Sequence, residues 1–360
     1  MRSVWSVRAY SKGDENGIFE LWKAVHGESP DIDEWMEWWK WKYVDNPAGA
    51  PRIWLADHNG KIVGQYPLMP ITMKIEGETI TGSQMVDLMV HPKYRRQGMF
   101  LSLAQKAFDE CGKNGLHISY GFPNVSAYGG HLKSGWFDVC PIQTMIKPLN
   151  VKSILEKQIA NNFLLKLSTV VSTLIINLFY KAKQPPKVDG LKIKKISFFD
   201  NNINRLWEKI SKDYDVIAMR DKNYLNWRYV DSPNSNYTIY VAEKNGEMCG
   251  YMVLGCGEQW GLLFGYMVDF VVPLNKSKVA HCLVSKAIEK FNDDKVDLIF
   301  YQMIGNNMYR KIFRRNGFIF SRYISRRFRF IARVNTDKIS EASIGDYKRW
   351  FVQQGDSDNI

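Results

Sequence analysis

The stretch Val86-Asp-Leu-Met-Val90-His-Pro-Lys-Tyr-Arg-Arg-Gln-Gly98-Met-Phe100 decides the fold around it. Residues 86–90 predict a strand covered on both faces, and Pro92 ends its ladder because proline has no amide hydrogen to donate. After Gly98, apolar residues recur at helical spacing as far as Cys111, and Gly112 closes the helix. This strand, basic loop and helix start predict an anion-binding seat, because the first helical amides are unpaired and lie at the positive end of the dipole.

The loop lacks the GxGxxG and GxxxxGK[ST] spacings of nucleotide-binding loops, which argues against nucleotide hydrolysis. Arg95-Arg96-Gln97-Gly98-Met99-Phe100 resembles instead the pyrophosphate loop of the GNAT (GCN5-related) N-acetyltransferases, [RQ]-x-x-G-x-[GA], which also follows an apolar strand. The match departs at Phe100, where that family usually has glycine or alanine. The resemblance implies that these six residues bind acetyl-CoA, and that an amide of Leu88, Met89 or Val90 meets the acyl oxygen.

A second motif follows after one more predicted strand, 116–121. The segment Asn124-Val-Ser-Ala127-Tyr128-Gly-Gly-His131-Leu-Lys-Ser-Gly135-Trp136 has the spacing of the N-x-x-A...G-[FW] segment of the GNAT family. The resemblance implies that the Asn124 side chain contacts the pantetheine arm of the cofactor and that Gly135 ends the intervening helix.

Acyl transfer to an amine requires a proton acceptor for the amine and a proton donor for the departing thiolate. Asp87, on the strand before the loop, is the first candidate for the base. A structural role for it stays equally open, because Asp269 occupies the corresponding place in the second half of the chain. Many relatives carry the donor tyrosine where His131 stands here, so Tyr128 and His131 are both candidates. No metal-ligand pattern is present.

The chain contains an internal repeat. Trp41-Lys-Tyr-Val-Asp-Asn-Pro47 returns as Trp227-Arg-Tyr-Val-Asp-Ser-Pro233, and the register continues without a gap to Gly64 and Gly250, with 10 identities over 24 positions. Unrelated sequences would share roughly one or two. Asp87 and Asp269, Asn124 and Asn306, and Gly135 and Gly317 also match at one constant offset, so one fold is predicted twice.

The second copy lacks the loop chemistry. The stretch 274–280, Leu-Asn-Lys-Ser-Lys-Val-Ala, has no glycine where a backbone must approach a phosphate. The N-terminal half is therefore predicted to bind the cofactor. The C-terminal half is predicted to be a degenerate partner that either shapes the substrate groove or only supports the fold.

These patterns predict an α/β (α+β mixed-sheet) fold class with two tandem GNAT-like domains. The expected organisation is a GNAT domain over 1–150, an apolar helical linker over 151–188, a degenerate domain over 189–335 and a C-terminal tail over 336–360. Within the first domain we expect a strand at 4–9, helices at 17–26 and 33–43, and a hairpin at His58-Asn59-Gly60. Strands are expected at 62–70, 71–76 and 79–90, the last broken near Gly82.

Composition and charge limit the class of protein. Five scattered cysteines without CxxC spacing predict neither a disulfide framework nor structural zinc, and the N-terminus has no apolar targeting region, so a cytoplasmic location is expected. The net charge is +12, and arginines alternate with aromatic residues near 322–333. No nucleic-acid-binding module is recognised, so nucleic acid is not an expected partner. Either a solvated strand face, or binding to an anionic substrate or membrane, explains the charge.

The apolar segment 163–182 leaves two interpretations open. Its uncharged core, 167–180, has 14 residues, fewer than the ~20 that a membrane-spanning helix needs. It is expected either to pack across the domain junction or to lie on a membrane surface as a peripheral contact.

The function expected from the sequence is an acetyl-CoA-dependent N-acyltransferase that moves the acyl group directly to a primary amine. The partner would be a small-molecule or peptide amine. Two other hypotheses remain: an aminoacyl transferase of the peptidoglycan-bridge type, and a non-catalytic acyl-CoA-binding or envelope-associated protein. Acceptor, acyl chain preference and oligomeric state are not predicted.

Overall fold

A computed structural model describes residues 5–27, 30–157, 168–170, 172, 182–233, 236–305 and 307–358. The predicted linker begins with a short helix, and almost all of the apolar segment 163–182 lies outside the described residues, as does Asn306. In the described part of the chain, no helix combines the length and the hydropathy of a bilayer-spanning segment.

The N-terminal half starts with a strand and two helices, continues with a meander of antiparallel strands, and ends with two helix-strand steps. Its elements are β1 (Ser6–Ala9), α1 (Glu15–His26), α2 (Ile32–Trp39), β2 (Arg52–His58), β3 (Lys61–Ile75), β4 (Glu78–Met85), β5 (Met89–Val90), α3 (Met99–Cys111), β6 (Ile118–Gly121), α4 (Val125–Lys133), β7 (Phe137–Pro141), β8 (Gln143–Pro148) and α5 (Val151–Glu156).

The C-terminal half repeats nearly the same order and adds a terminal helix and strand. Its elements are β9 (Leu191–Ile196), α6 (Asn202–Ile210), β10 (Val216–Ala218), α7 (Lys222–Tyr229), β11 (Thr238–Lys244), β12 (Glu247–Gln259), β13 (Leu262–Val271), α8 (Ser277–Asp293), β14 (Leu298–Ile304), α9 (Asn307–Arg315), β15 (Ile319–Phe320), α10 (Arg322–Ser325), β16 (Arg329–Val334), α11 (Glu341–Gly345) and β17 (Trp350–Gln353).

Several local predictions are confirmed. Helix α3 starts directly after Gly98 and ends at Gly112, and β2 turns into β3 at Asn59 (φ 53°) and Gly60 (φ 82°). Positive φ at both central residues is the geometry of the tight hairpin turn that an Asn-Gly pair favours. The repeat-related pair Asn245 and Gly246 turns β11 into β12 in the same way, with φ of 52° and 81°.

Other boundaries were wrong. The predicted break near Gly82 is absent, since β4 runs unbroken to Met85; the interruption lies at residues 86–88, where Asp87 has a φ of 42°. Strand β3 passes straight through Pro70, where two strands were predicted. The second helix ends at Trp39 and continues as a π-helical turn over Lys40–Val44.

Each half carries a mixed sheet, and each half contributes one strand to the sheet of the other. The first sheet has the order β1-β2-β3-β4-β6-β16-β7, and the second β9-β11-β12-β13-β14-β8-β15. Strand β16, from the C-terminal half, lies between β6 and β7, while β8 lies between β14 and β15. The two sheets therefore cannot separate without breaking ladders in both.

The C-terminal segment joins both sheets. Strand β17 pairs in parallel with β10 and antiparallel with the end of β14. Strand β10 in turn pairs with the far end of β3. The predicted tail over 336–360 thus contains a helix and a buried strand that crosses the junction between the halves.

Candidate active site

The loop between β5 and α3 presents open backbone. A short 3-10 turn, Pro92–Tyr94, follows β5, and the His91 side chain caps it by accepting from the Lys93 amide at 3.2 Å. Arg96 (φ 60°) and Gly98 (φ 83°) then take left-handed conformations. A Cβ at Gly98 would meet no atom within 4 Å, so the space beside the loop is open, and the first amides of α3 face no helical acceptor. The loop can therefore surround an anion with N–H groups.

The loop is also positively charged. Residues 95–98 are exposed. Arg95 and Gln97 fold back onto the loop itself: Arg95 Nε donates to the Val90 carbonyl at 3.3 Å and Gln97 Nε2 to the Lys93 carbonyl at 3.0 Å. Burial, and then repulsion from Lys61, Lys93 and Arg95, lowers the pKa of His91. The positive charge of the loop favours the binding of a phosphate or diphosphate group.

A gap between strands opens next to this loop. Pairing between β4 and β6 stops at Met85 and Gly121, and β5 pairs with β3 alone among the described strands. We call the space between β5 and β6 the first gap. The His91 amide donates to Val63 on β3 at 2.9 Å, and successive residues of a strand alternate in direction, so the amide of Val90 points away from β3, into the first gap.

A family model described as an acetyltransferase (GNAT) domain matches residues 6–137, which contain both the loop and the first gap. The N-terminal domain belongs to the GNAT superfamily. No curated protein matches the chain by sequence.

Solved structures share the fold at low sequence identity. A probable N-acyltransferase from Enterococcus faecalis V583 has a TM-score of 0.65 at 12% identity, with 92% of this chain and 73% of that one covered. A GCN5-related N-acetyltransferase from Anabaena variabilis has a TM-score of 0.63 at 12% identity, with the same coverage of 92% and 73%. Saccharomyces cerevisiae N-myristoyltransferase with bound myristoyl-CoA has a TM-score of 0.58 at 13% identity, covering 98% of this chain and 84% of that one.

Phe100 fits this GNAT domain because a helix opposite the loop leaves room for its ring. A Cβ at Gly130, on α4, would lie 3.1 Å from the Phe100 ring, which also packs edge-on against His131 and Tyr66. The ring therefore points into the core under the loop. The departure from the family motif is thus accommodated by Gly130, a pairing that the sequence alone did not reveal.

His131 lies in the core of the GNAT domain. Its side chain is 0% exposed, and neither ring nitrogen has a hydrogen-bond partner among the described residues. Burial lowers the pKa of His131 to about 4, so the ring is neutral at pH 7. Phe100 and Trp136 surround it at ring distances of 5.0 and 5.4 Å. This environment is that of a packing residue.

Asn124 and Tyr128 lie at the start of α4, directly after β6 and therefore at the far wall of the first gap. The exposed Asn124 is the N-cap, and its side-chain oxygen accepts from the Ala127 amide at 2.9 Å. Tyr128 is half-buried, and the Arg329 guanidinium lies 5.9 Å from its ring centroid. Arg329 comes from the exchanged strand β16, so the C-terminal half contributes a charge to this edge of the GNAT domain.

Asp87 sits in the irregular segment between β4 and β5. Its Oδ2 accepts from Lys42 Nζ at 2.7 Å and from Tyr43 OH at 2.5 Å, and its side chain is 24% exposed. Gln65 Nε2 donates to the Asp87 carbonyl at 2.7 Å and so holds the bend. Asp269, the counterpart of Asp87 in the second repeat, differs because it is buried and paired with Arg220 at 3.3 Å. The repeat therefore contains one accessible carboxylate and one that is sequestered.

A cavity of about 230 Å³ lies where the halves meet, and we call it the junction cavity. Its lining residues are Trp38, Trp41, Lys42, Met69, Gln84, Trp227, Arg228, Ser232, Pro233 and Asp358. Gln84 lies one residue before the last β4–β6 pair, so the junction cavity borders the first gap. Lys42 Nζ, which is bound to Asp87, also lies 3.7 Å from Asp358 Oδ2. Sequence reasoning missed this site because its walls come from stretches that are far apart along the chain: 38–42, Met69, Gln84, 227–233 and Asp358.

The C-terminal half has an equivalent gap, and its own chain fills it. Pairing between β13 and β14 ends at Tyr266 and Phe300, and β17 occupies the space beyond. The Gln353 side chain completes the closure: it accepts from the Phe270 amide at 2.8 Å and donates to the Phe270 carbonyl at 2.5 Å. The second gap is therefore closed by protein atoms.

Proposed function

We propose that the chain is an N-acyltransferase that moves an acetyl group from acetyl-CoA to the primary amine of an acceptor by direct transfer in a ternary complex. The N-terminal domain is of the acetyltransferase family, which supports acyl transfer in general. The observation that carries the proposal is the left-handed Arg96–Gly98 loop at the start of α3, beside a strand gap into which the Val90 amide points.

The diphosphate of the cofactor would lie on the loop Arg95, Arg96, Gln97, Gly98, Met99 and Phe100, with the backbone amides as donors. The pantetheine arm would then follow the first gap between Val90 and Asn124. An amide on a fixed strand is a suitable donor to a carbonyl that gains negative charge in the transition state. Val90 fits this role better than Met89, whose N–H faces β3. The N–H of Leu88 would point the same way as that of Val90 if the alternation of strand β5 continued back to Leu88.

Asp87 would accept the proton of the amine, either directly or through a water molecule. The Lys42 ammonium and the Tyr43 hydroxyl hold its carboxylate, and Lys42 itself lines the junction cavity. Tyr128 would return a proton to the departing thiolate. The buried His131 is better explained by packing, because a proton donor needs contact with the reacting atoms.

The degenerate half would serve as a wall of the acceptor site and not as a second cofactor site. Residues Trp227, Arg228, Ser232 and Pro233 line the junction cavity, while β17 fills the second gap. One cofactor per chain is expected.

A thiol-release assay over a panel of amines, with products weighed by mass spectrometry, tests the proposal. The panel of donors should run from acetyl-CoA to myristoyl-CoA, because a structural neighbour is an N-myristoyltransferase with bound myristoyl-CoA. Acylated amine with one coenzyme A released per product is the expected result. Coenzyme A binding without transfer to any amine would contradict catalysis and favour an acyl-CoA-binding protein.

A further inference from the structure

Two cations that are equivalent in the repeat both line the junction cavity. Lys42 comes from the N-terminal half and Arg228 from the C-terminal half, each one residue after the tryptophan of its copy. Both side chains are buried. Their charges therefore act in a low dielectric, where the presence or absence of a counter-ion matters most.

The two cations differ in their partners. Lys42 is paired with Asp87 at 2.7 Å and lies 3.7 Å from Asp358. Arg228, 8% exposed, donates to two neutral carbonyls, from Nε to Gly355 at 3.4 Å and from Nη2 to Ser357 at 2.7 Å. Among the described residues, no carboxylate forms an ion pair with Arg228.

A buried guanidinium that hydrogen-bonds only neutral carbonyls is costly, and a bound carboxylate would supply the ion-pair partner that Arg228 lacks among the described residues. Asp358 is the carboxylate of the lining; burial raises its pKa, Asp87 raises it further, and Lys42 and, more weakly, Arg228 oppose the rise. Guanidinium groups bind carboxylates in a two-pronged geometry that an ammonium cannot match.

We propose, resting on the function proposed above, that the junction cavity binds the acceptor and that this acceptor is an amino-acid-sized amine carrying its own carboxylate. Arg228 binds that carboxylate. The rings of Trp41 and Trp227 contact its apolar part, and its amine lies toward Asp87 at the border of the first gap. Arg228 is a specificity-determining residue in this arrangement.

The size of the cavity supports the same class. At about 230 Å³ it is smaller than the roughly 300–1,000 Å³ of pockets that enclose drug-sized ligands. An amino acid fits such a volume, whereas a peptide of several residues would extend out of it. A diamine fits less well, because its second ammonium group would add a positive charge beside those of Lys42 and Arg228.

The test compares three amines of one shape: L-leucine, L-leucinamide and 3-methylbutylamine, with acetyl-CoA as donor. The expected kcat/KM for L-leucine exceeds that for the other two by about tenfold or more, as a charged hydrogen-bonded pair gives. Arg228→Gln should bring the ratio of L-leucine to L-leucinamide close to one. Because a ratio cancels the fraction of active protein, partial unfolding of this variant does not mimic the result.

The matched control is Arg310→Gln, since the Arg310 guanidinium lies 5.1 Å from the ring centroid of Phe320, as that of Arg228 lies 5.9 Å from a ring centroid of Trp41, but Arg310 does not line the cavity. It should retain the wild-type ratio.

Calorimetric titration of L-leucine into protein saturated with coenzyme A separates the two proposals. Leucine binding that Arg228→Gln abolishes, without any turnover, would overturn the transferase function but support the carboxylate site. Equal turnover of the three amines, or an unchanged ratio in Arg228→Gln, would overturn the carboxylate site and leave the transferase function standing.

Discussion

Trp41 and Trp227, equivalent positions of the two repeats, bind each other reciprocally. Trp41 Nε1 donates to the Trp227 carbonyl at 2.7 Å, and Trp227 Nε1 donates to the Trp41 carbonyl at 2.8 Å. Their rings stack with centroids 5.3 Å apart and an angle of 22° between planes. The pair therefore lies on a local two-fold axis between the halves, and it also forms a wall of the junction cavity.

Replacing either tryptophan by phenylalanine should destabilise the junction. Trp227→Phe leaves the buried Trp41 carbonyl without its donor, which costs about 2 kcal/mol, and Trp41→Phe does the same to Trp227. Because the rings touch, the double variant should cost less than the sum of the single variants. Urea unfolding at equilibrium measures these free energies.

Trp35→Phe is the control for this pair. Trp35 is equally buried, but its indole nitrogen has no partner within the described residues, so the change removes no hydrogen bond. A loss of under about 1 kcal/mol is expected. Equal losses for Trp35→Phe and Trp41→Phe would show that ring volume alone, and not the reciprocal bonds, stabilises the junction.

Phe100 and Gly130 should prove energetically coupled. Alanine raises helix stability by about 1 kcal/mol over glycine, so Gly129→Ala, whose Cβ would meet nothing within 4 Å, should stabilise the protein. Gly130→Ala should lose this gain, because its Cβ would press on the Phe100 ring at 3.1 Å.

In the background of Phe100→Leu, the two alanine variants should become similar in unfolding free energy, measured by urea titration. A Gly130→Ala variant as stable as Gly129→Ala in the wild-type background would mean that Phe100 yields freely and that the loop tolerates either residue.

His131 should make the fold sensitive to acid. Burial lowers the pKa of His131 to about 4, below the ~6.5 expected in the unfolded chain, so the unfolded state binds more protons between these values. The stability that neutral His131 confers is complete above pH 6.5 and is lost as the pH falls toward 4. Between pH 7 and pH 5 the wild type should lose about 2 kcal/mol through this group.

His131→Phe removes the titrating ring and should flatten the dependence of unfolding free energy on pH in that window. Urea unfolding of both proteins at several pH values checks this. If the two proteins gave parallel curves of unfolding free energy against pH, the His131 ring would bind its proton in the native state over the same pH range as in the unfolded chain.

Asp87→Asn should separate chemistry from folding. Loss of a proton acceptor should lower kcat by roughly 100-fold or more while the affinity for coenzyme A persists. Asp269→Asn should act in the opposite way, costing about 3 kcal/mol of stability because Arg220 loses part of its buried ion pair, with kcat per folded molecule retained. Activity assays stopped at fixed times measure kcat for both variants, and urea unfolding measures their stability. Wild-type kcat in Asp87→Asn would reduce Asp87 to a support for the bend.

Local chemistry made several features predictable from the sequence. Helix α3 was predictable because Gly98 and Gly112 bracket an apolar stripe, and the hairpin at Asn59 because Asn-Gly favours two left-handed residues. The loop and its neighbouring strand were found through motif spacing. These features depend on residues that are close together along the chain.

Features that depend on distant residues were not predictable. The irregular segment at Asp87 was missed because its cause is the Lys42, Tyr43 and Gln65 side chains, which reach it from other elements. The exchange of β8 and β16 is not predictable from the residues of either strand, because the sheet that each one joins depends on partner strands that are distant along the chain. The predicted C-terminal tail over 336–360 contains strand β17, whose Gln353 binds Phe270 in the second gap, and neither the strand nor this contact was predicted.

The central claim is that the backbone around Gly98 binds the diphosphate of coenzyme A, and calorimetric titration of coenzyme A into Gly98→Glu tests it most directly. The matched control is Gly246→Glu, since Gly246 has a φ of 81° against 83° for Gly98, and a Cβ at either position would meet nothing within 4 Å. Both variants thus carry the same strain and charge. The prediction is that Gly246→Glu binds coenzyme A like the wild type while Gly98→Glu shows no measurable binding; equal affinity in the two variants would contradict the account.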